Sequence, residues 1–117
     1  MRHFSANEFL CKCGCGKGVE YMDEDFLWKL DKARGIAEVP FVLTSAFRCK
    51  EYNLEISIPT SSHVKGLAVD IACTASYNRF KIVQALIKVG IDRWGVRHDF
   101  IHCDSDPDKP RELFWVY

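Results

Sequence analysis

The stretch S-S-H-V-K-G-L-A-V-D-I-A (61–72) runs from a polar loop, through one glycine, into an apolar strand that carries a single carboxylate. Residues 67–72 read as that strand, and Asp70 sits within it between Val69 and Ile71. An unpaired carboxylate in such a place is expensive, so a metal, an arginine or a ring of backbone N–H groups has to compensate it. Gly66 permits a sharp turn, which folds His63 back over Asp70. Taken singly, His63 reads as an exposed loop histidine and Asp70 as a hydrogen-bonded structural aspartate.

A second polar group on an apolar background, H-D-F-I-H-C-D (98–104), changes that balance. Strand alternation puts His98, Phe100, His102 and Asp104 on one face, with Asp99, Ile101 and Cys103 on the other. His63, Asp70 and His102 together supply two imidazoles and one carboxylate. That donor set suits a tetrahedral zinc and leaves the fourth position for water, where a closed structural site would have filled it.

Outward from these two stretches, residues 22–37 read as a helix with an acidic first turn and Phe26, Leu27, Leu30 and Ala33 at helical spacing. F-V-L-T-S-A-F (41–47) reads as a buried strand, and 48–55 as a short helix. Residues 75–90 form the clearest helix, with Ile82, Ala85, Leu86 and Val89 as its apolar stripe and Gly90 at its end. Three strands follow, at 91–96, 100–104 and 112–117. Residues 1–10 are expected to lie against the domain as an arm, and 11–18 to form a glycine-rich turn. The order predicts an α+β fold, an antiparallel sheet with helices packed on one face. No internal repeat or low-complexity segment interrupts it.

The 117 residues fit a single domain, 1–117. Sixteen basic residues balance sixteen acidic ones, so the chain lacks the charge of a general nucleic-acid binder. No apolar stretch is long enough to span a bilayer, and M-R-H-F-S-A-N-E-F-L does not read as a secretory signal. The expectation is synthesis in the cytoplasm. Of six cysteines, three lie in C-K-C-G-C-G (11–16). Their alternate spacing differs from the paired C-x-x-C of common zinc modules, which favours reduced thiols in a turn over a second metal. Cys73 and Cys103 read as small buried hydrophobes. Trp28, Trp94, Trp115, Phe114 and Tyr117 read as core or groove wall, and His3 and Lys65 as solvated.

The motif S-x-H-x-x-G-x-A-x-D, met by Ser61, His63, Gly66, Ala68 and Asp70, resembles that of the zinc D-alanyl-D-alanine carboxypeptidase family. That family includes D-Ala-D-Ala dipeptidases and phage L-alanyl-D-glutamate endopeptidases. Its later D/E-x-x-H is met by Asp99 and His102, and its S-x-x-R…N segment by Ser45, Arg48 and Asn53. The resemblance covers roughly residues 4–117 and implies a hedgehog/DD-peptidase-like fold. It implies one zinc ion on His63, Asp70 and His102, with Asp99 as general base. Arg48 then holds the substrate or polarises its carbonyl, and Ser61 bonds a ligand or orients the loop. The implied substrate is an amide bond in a peptidoglycan stem peptide.

These roles are chemically coherent. Zinc lowers the pKa of bound water to about 7, a carboxylate can take and return its proton, and arginine offers a planar fork for a carboxylate or oxyanion. Asp99 reaches the same cavity as His102 only if residues 98–100 form a loop or bulge. His98 is its rival as base. L-E-I-S-I-P-T (54–60) replaces the glycine-rich turn of many relatives, which points to a different groove there. A small monomeric, endolysin-like enzyme acting on the wall after release, in phage lysis or on a virion, fits these features, as does a bacterial enzyme. The competing expectations are a non-catalytic zinc-containing binding domain of the same fold and a cysteine-cluster interaction module. An acid at position 99 weighs against the first, and the C-x-C-x-C spacing and zero net charge against the second.

Overall fold

The computed structural model describes residues 1–117. Its elements in chain order are helix α1 (Glu24–Ala37), strand β1 (Val42–Ser45), helix α2 (Lys50–Ile56), strand β2 (Ala68–Ala72), helix α3 (Ser76–Lys88), and strands β3 (Arg93–Val96), β4 (Phe100–Asp104) and β5 (Leu113–Val116). The five strands form one sheet in the order β1-β2-β4-β3-β5. The expected α+β architecture is present, and each expected helix and strand falls within a few residues of its observed bounds.

Helix α1 begins where the Asp23 carboxylate accepts the backbone N–H of Phe26 at 2.9 Å, an N-cap that satisfies one otherwise unpaired donor. Phe26, Leu30, Ala33 and Ala37 form its buried stripe. Trp28 lies off that stripe and is 64% exposed, so it is neither core nor groove wall; Lys32 covers its ring at 5.1 Å. The stripe meets Ile82, Ala85 and Leu86 of α3 and the inward residues Val69, Ile71, Ile101 and Cys103 of the two central strands. Strand alternation therefore sends Asp70 and His102 to the opposite face of the sheet, away from this core. The helical layer is the platform, and the polar face carries the site.

The sheet is not wholly antiparallel. β1–β2, β2–β4 and β3–β4 are antiparallel, but β5 runs parallel to β3. β4 already has neighbours on both edges, so the chain leaving it cannot return as a hairpin and adds to the free edge of β3 instead. The loop between β4 and β5 is held by Arg93, whose guanidinium bonds the Asp104 carboxylate and the Pro110 carbonyl.

The N-terminal arm docks as expected. The backbone N–H groups of Arg2, His3 and Phe4 donate to the Asp31 carboxylate, while Phe4 and Phe9 enter the core. His3 packs over Gly35, where a Cβ would stand 2.6 Å from its Nε2. Lys65 is not simply solvated: its ammonium lies 2.9 Å from Asp106 and 3.1 Å from Asp108.

Candidate metal centre

Three local devices bring His63, Asp70 and His102 together. Asp70 stands directly opposite His102 in the β2–β4 register, which is unbroken from Ala68↔Asp104 to Ala72↔Phe100. Gly66, at φ +70°, turns the loop; a Cβ there would lie 2.0 Å from the Tyr21 carbonyl oxygen, so only glycine fits. The turn is closed by Gly66 N–H donating to the His63 carbonyl, and Ser61 Oγ accepts the His63 N–H at 3.3 Å. As a result one ring nitrogen from each histidine and a carboxylate oxygen of Asp70 lie within 4.8 Å of one another.

The hydrogen bonds define which nitrogens face inward. His63 Nδ1 lies 2.8 Å from the Ala46 carbonyl, which can only accept, so Nδ1 carries the proton and Nε2 presents its lone pair. That Nε2 is 3.4 Å from Asp70 Oδ1. His102 Nε2 donates to the Asp104 carboxylate at 2.8 Å, leaving Nδ1 turned to Asp70 Oδ1 at 2.9 Å. Lone pairs from three residues thus converge on one point, where a proton or a metal ion has to balance them. The donor set, two imidazoles and a carboxylate, is one that zinc takes. Each ligating imidazole also has the outer hydrogen bond that orients it in metal sites. The residues fit the ion.

The electrostatics follow from this packing. Burial alone would raise the Asp70 carboxyl, but its contacts with the His102 and His63 rings, when a proton rather than a metal balances the converging lone pairs, outweigh it and hold it below the usual carboxylate range. Burial would lower His102, yet the flanking carboxylates of Asp104 and Asp70 raise it. For Asp104, burial is outweighed by the hydrogen bonds from His102 and Arg93, and its pKa is lowered.

Arg48 completes the cluster. Its Nε donates to Ser45 Oγ at 2.9 Å and its Nη1 to Asn53 Oδ1 at 3.4 Å, while Nη2 lies 3.5 Å from Asp70. A register shift in β1 between Leu43 and Ser45 sets Ser45 opposite Asp70. The cavity over the triad, about 310 Å³, is lined among others by Arg48, Ser61, Phe100, Lys109, Trp115 and Tyr117. Trp115 crosses the sheet at Gly95, where any Cβ would strike the indole.

Asp99 and His98 are not brought to this cavity. They form the tip of the β3–β4 hairpin, closed by Arg97 N–H donating to the Phe100 carbonyl. Arg79 donates to the His98 carbonyl and Cys73 N–H to the Asp99 carbonyl, which anchors the turn from the helical side. The Asp99 carboxylate is half-exposed and lies 3.5 Å from Arg97 Nε and 4.0 Å from His98 Nε2. Residues 97–99 do form a loop, between β3 and β4, but neither His98 nor Asp99 is among the residues that line the cavity.

Two functional partners escaped the motif reading, Asp104 and Arg93. Alternation had put Asp104 on the His102 face, and an H-x-D pair on one strand face was the available sign. Nothing local marks Arg93, which pairs with Asp104 only across the β3–β4 ladder.

A sheet face carrying Asp70 and His102, with His63 folded over it from the loop before β2 and an anchored arginine beside them, defines a metallopeptidase type of site. The sequence model of the family described as Peptidase M15 matches residues 2–104, and the chain belongs to that family of zinc peptidases. No curated protein matches the chain.

Proposed function

We propose that this protein is a zinc-dependent hydrolase of peptidoglycan stem peptides, cutting a D-Ala-D-Ala or an L-Ala-D-Glu amide bond. The observation that carries this reading is the convergence of His63 Nε2, Asp70 and His102 Nδ1, each outer imidazole nitrogen already satisfied, beside the Arg48 guanidinium. These three residues would hold the zinc ion. When bound, zinc supplies Lewis acidity, polarising a carbonyl and bringing the pKa of water to about 7.

The remaining work belongs to this chain's own side chains. Ser45 and Asn53 hold the Arg48 fork, so its charge is preorganised for a peptide carboxylate or a developing oxyanion. Lys109, bonded to Ser62 Oγ at 2.8 Å, adds a second cation to the cavity wall. Either candidate bond has a carboxylate close by, the terminal one of D-Ala or the α-carboxylate of D-Glu, which two cations suit. Phe100, Trp115 and Tyr117 form an apolar wall for the alanyl methyls. Burial raises the Tyr117 phenol, so it stays protonated and can donate to the substrate backbone. Ser61 orients His63 through its backbone N–H.

No helix is long and apolar enough to cross a membrane. The test is incubation of the zinc-loaded protein with purified peptidoglycan, followed by mass analysis of the fragments. Free D-alanine identifies the carboxypeptidase bond, and new D-Glu amino termini the endopeptidase bond. Release of neither, with zinc bound, would replace the enzyme by a binding domain of the same fold.

A further inference from the structure

We propose that Cys11, Cys13, Cys15 and Cys49 form a second metal site, a closed tetrathiolate that takes a zinc ion and plays a structural part. The four sulfurs all lie within 4.8 Å of one another. Cys11 and Cys13 are separated by 3.4 Å and Cys13 and Cys49 by 3.6 Å. Four sulfurs at about 2.3 Å from a tetrahedral zinc stand about 3.8 Å apart, so the cluster is near the required size. These separations are also well beyond the roughly 2.05 Å of a disulfide, and all six cysteines of the chain are free thiols.

The backbone is shaped for this convergence. Alternate residues of an extended chain share a face but stand about 6.7 Å apart, too far for one ion, which is why C-x-C-x-C is an unpromising spacing on its own. Gly14 and Gly16 both adopt φ +85°, and a Cβ at either would meet nothing within 4 Å. They are glycines for their dihedral angle and not for space, and the bends they allow gather three sulfurs on one side. Cys11 N–H donates to the Lys17 carbonyl at 2.8 Å and closes the loop. The fourth sulfur comes from 34 positions beyond Cys15 in the sequence, at the residue preceding α2. Cys49 N–H donates to Cys11 Sγ at 3.4 Å, the kind of bond that stabilises a thiolate ligand. Lys12, Lys17 and Lys50 stand within two residues of the cysteines in the sequence.

The consequence is a staple between the loop at 11–18 and the backbone that builds the peptidase site. Cys49 follows Arg48, and the Ala46 carbonyl orients His63. Tyr21 stacks on Phe47 at 5.1 Å along the same seam. Zinc bound to four thiolates would therefore hold the segment 46–49 in place without touching substrate. Metal uptake would release the thiol protons to solvent, so binding weakens as pH falls.

The experiment loads reduced protein with cobalt(II), then with zinc, and compares wild type with two variants. Wild type is expected to hold two zinc ions per chain and to show sulfur-to-cobalt charge transfer in the near ultraviolet. The double variant His63→Ala/His102→Ala keeps one metal and the full charge-transfer band. Cys13→Ser/Cys15→Ser, at two exposed positions, keeps one metal and loses the band. If the serine variant does not fold, a mercurial thiol reagent added to the histidine variant must release its zinc ion. A histidine variant with no charge-transfer band, or one whose zinc survives the mercurial, overturns the site. So does an intact mass showing that the four thiols of reduced, metal-supplied protein have formed disulfides.

Discussion

His102 Nε2 lies 2.8 Å from the Asp104 carboxylate, and Arg93 holds the same carboxylate at 2.7 Å from its other oxygen. This chain of contacts fixes the ring so that Nδ1 and not Nε2 faces Asp70. Asp104→Asn leaves a side chain of the same shape but removes the charge that makes Nε2–H the stable tautomer. Zinc affinity is expected to fall about 10–100-fold, the usual cost of losing an outer partner of a ligating histidine. A competition titration against a chromogenic chelator reads this, at a temperature where circular dichroism shows both proteins folded. Unchanged affinity would mean that Asp104 serves only to neutralise Arg93.

Asp99→Ala is expected to keep its zinc and to hydrolyse stem peptides within about threefold of wild type. A general base contributes roughly 10²–10⁴-fold, and a carboxylate paired with Arg97 at the tip of a hairpin does not face the cavity. His63→Ala, in the same assay, should lose the metal of the peptidase site and the activity with it. A hundredfold drop in Asp99→Ala with full zinc would show that the hairpin tip folds over the substrate during catalysis.

The contrast between Asp70 and Asp99 shows how far the residues alone carry. Asp70 was legible because a carboxylate between Val69 and Ile71 demands compensation, and a glycine turn delivers His63 to it. The helices and strands were legible from periodicity, since Phe26, Leu30 and Ala33 or Ile82, Ala85 and Leu86 each mark one face. What periodicity does not carry is which edge a strand joins. β5 joins β3 in parallel because β4 has no free edge, a fact of the assembled sheet. The bulge in β1 that sets Ser45 opposite Asp70 is likewise a matter of register. Cys49 is the same lesson in the thiol cluster: its sulfur reaches the loop at 11–15 only through tertiary packing, which local spacing does not carry.

Arg48 is held by Ser45 and Asn53 as well as by Asp70, so its substitution separates binding of substrate from binding of metal. Arg48→Ala is expected to lower kcat/KM by about 10²–10³-fold, in the range for removing a preorganised oxyanion donor. Zinc content should be unchanged. Arg48→Lys should recover little, because an ammonium cannot bond Ser45 and Asn53 together while facing the cavity. Recovery to wild-type rates in the lysine variant would reduce the role of Arg48 to its charge.

The loop that carries His63 is tied to the segment after β4 through Asp106, and this tie gives the fold an acid-sensitive component. The buried Asp106 carboxylate accepts Ser62 Oγ–H at 2.7 Å and the Lys65 ammonium at 2.9 Å. Burial alone would raise its pKa, but those two bonds dominate and lower it. An unfolded aspartate titrates near 3.9, so the unfolded chain takes up this proton first as the solution is acidified. The contribution of Asp106 is therefore complete above about pH 4 and is lost as pH falls through the lower folded value. Asp31, Asp70 and Asp104 shift in the same direction, so the acid slope of the wild type is not due to Asp106 alone. Subtracting the stability curve of Asp106→Asn isolates it. The variant is expected to be less stable at pH 7 by about 1–3 kcal/mol, the range for disrupting hydrogen bonds to a buried charge. The difference should shrink below pH 4, as measured by urea unfolding of metal-free protein at matched ionic strength. A constant difference across that range would mean that Asp106 acts through packing and not through its ionised form.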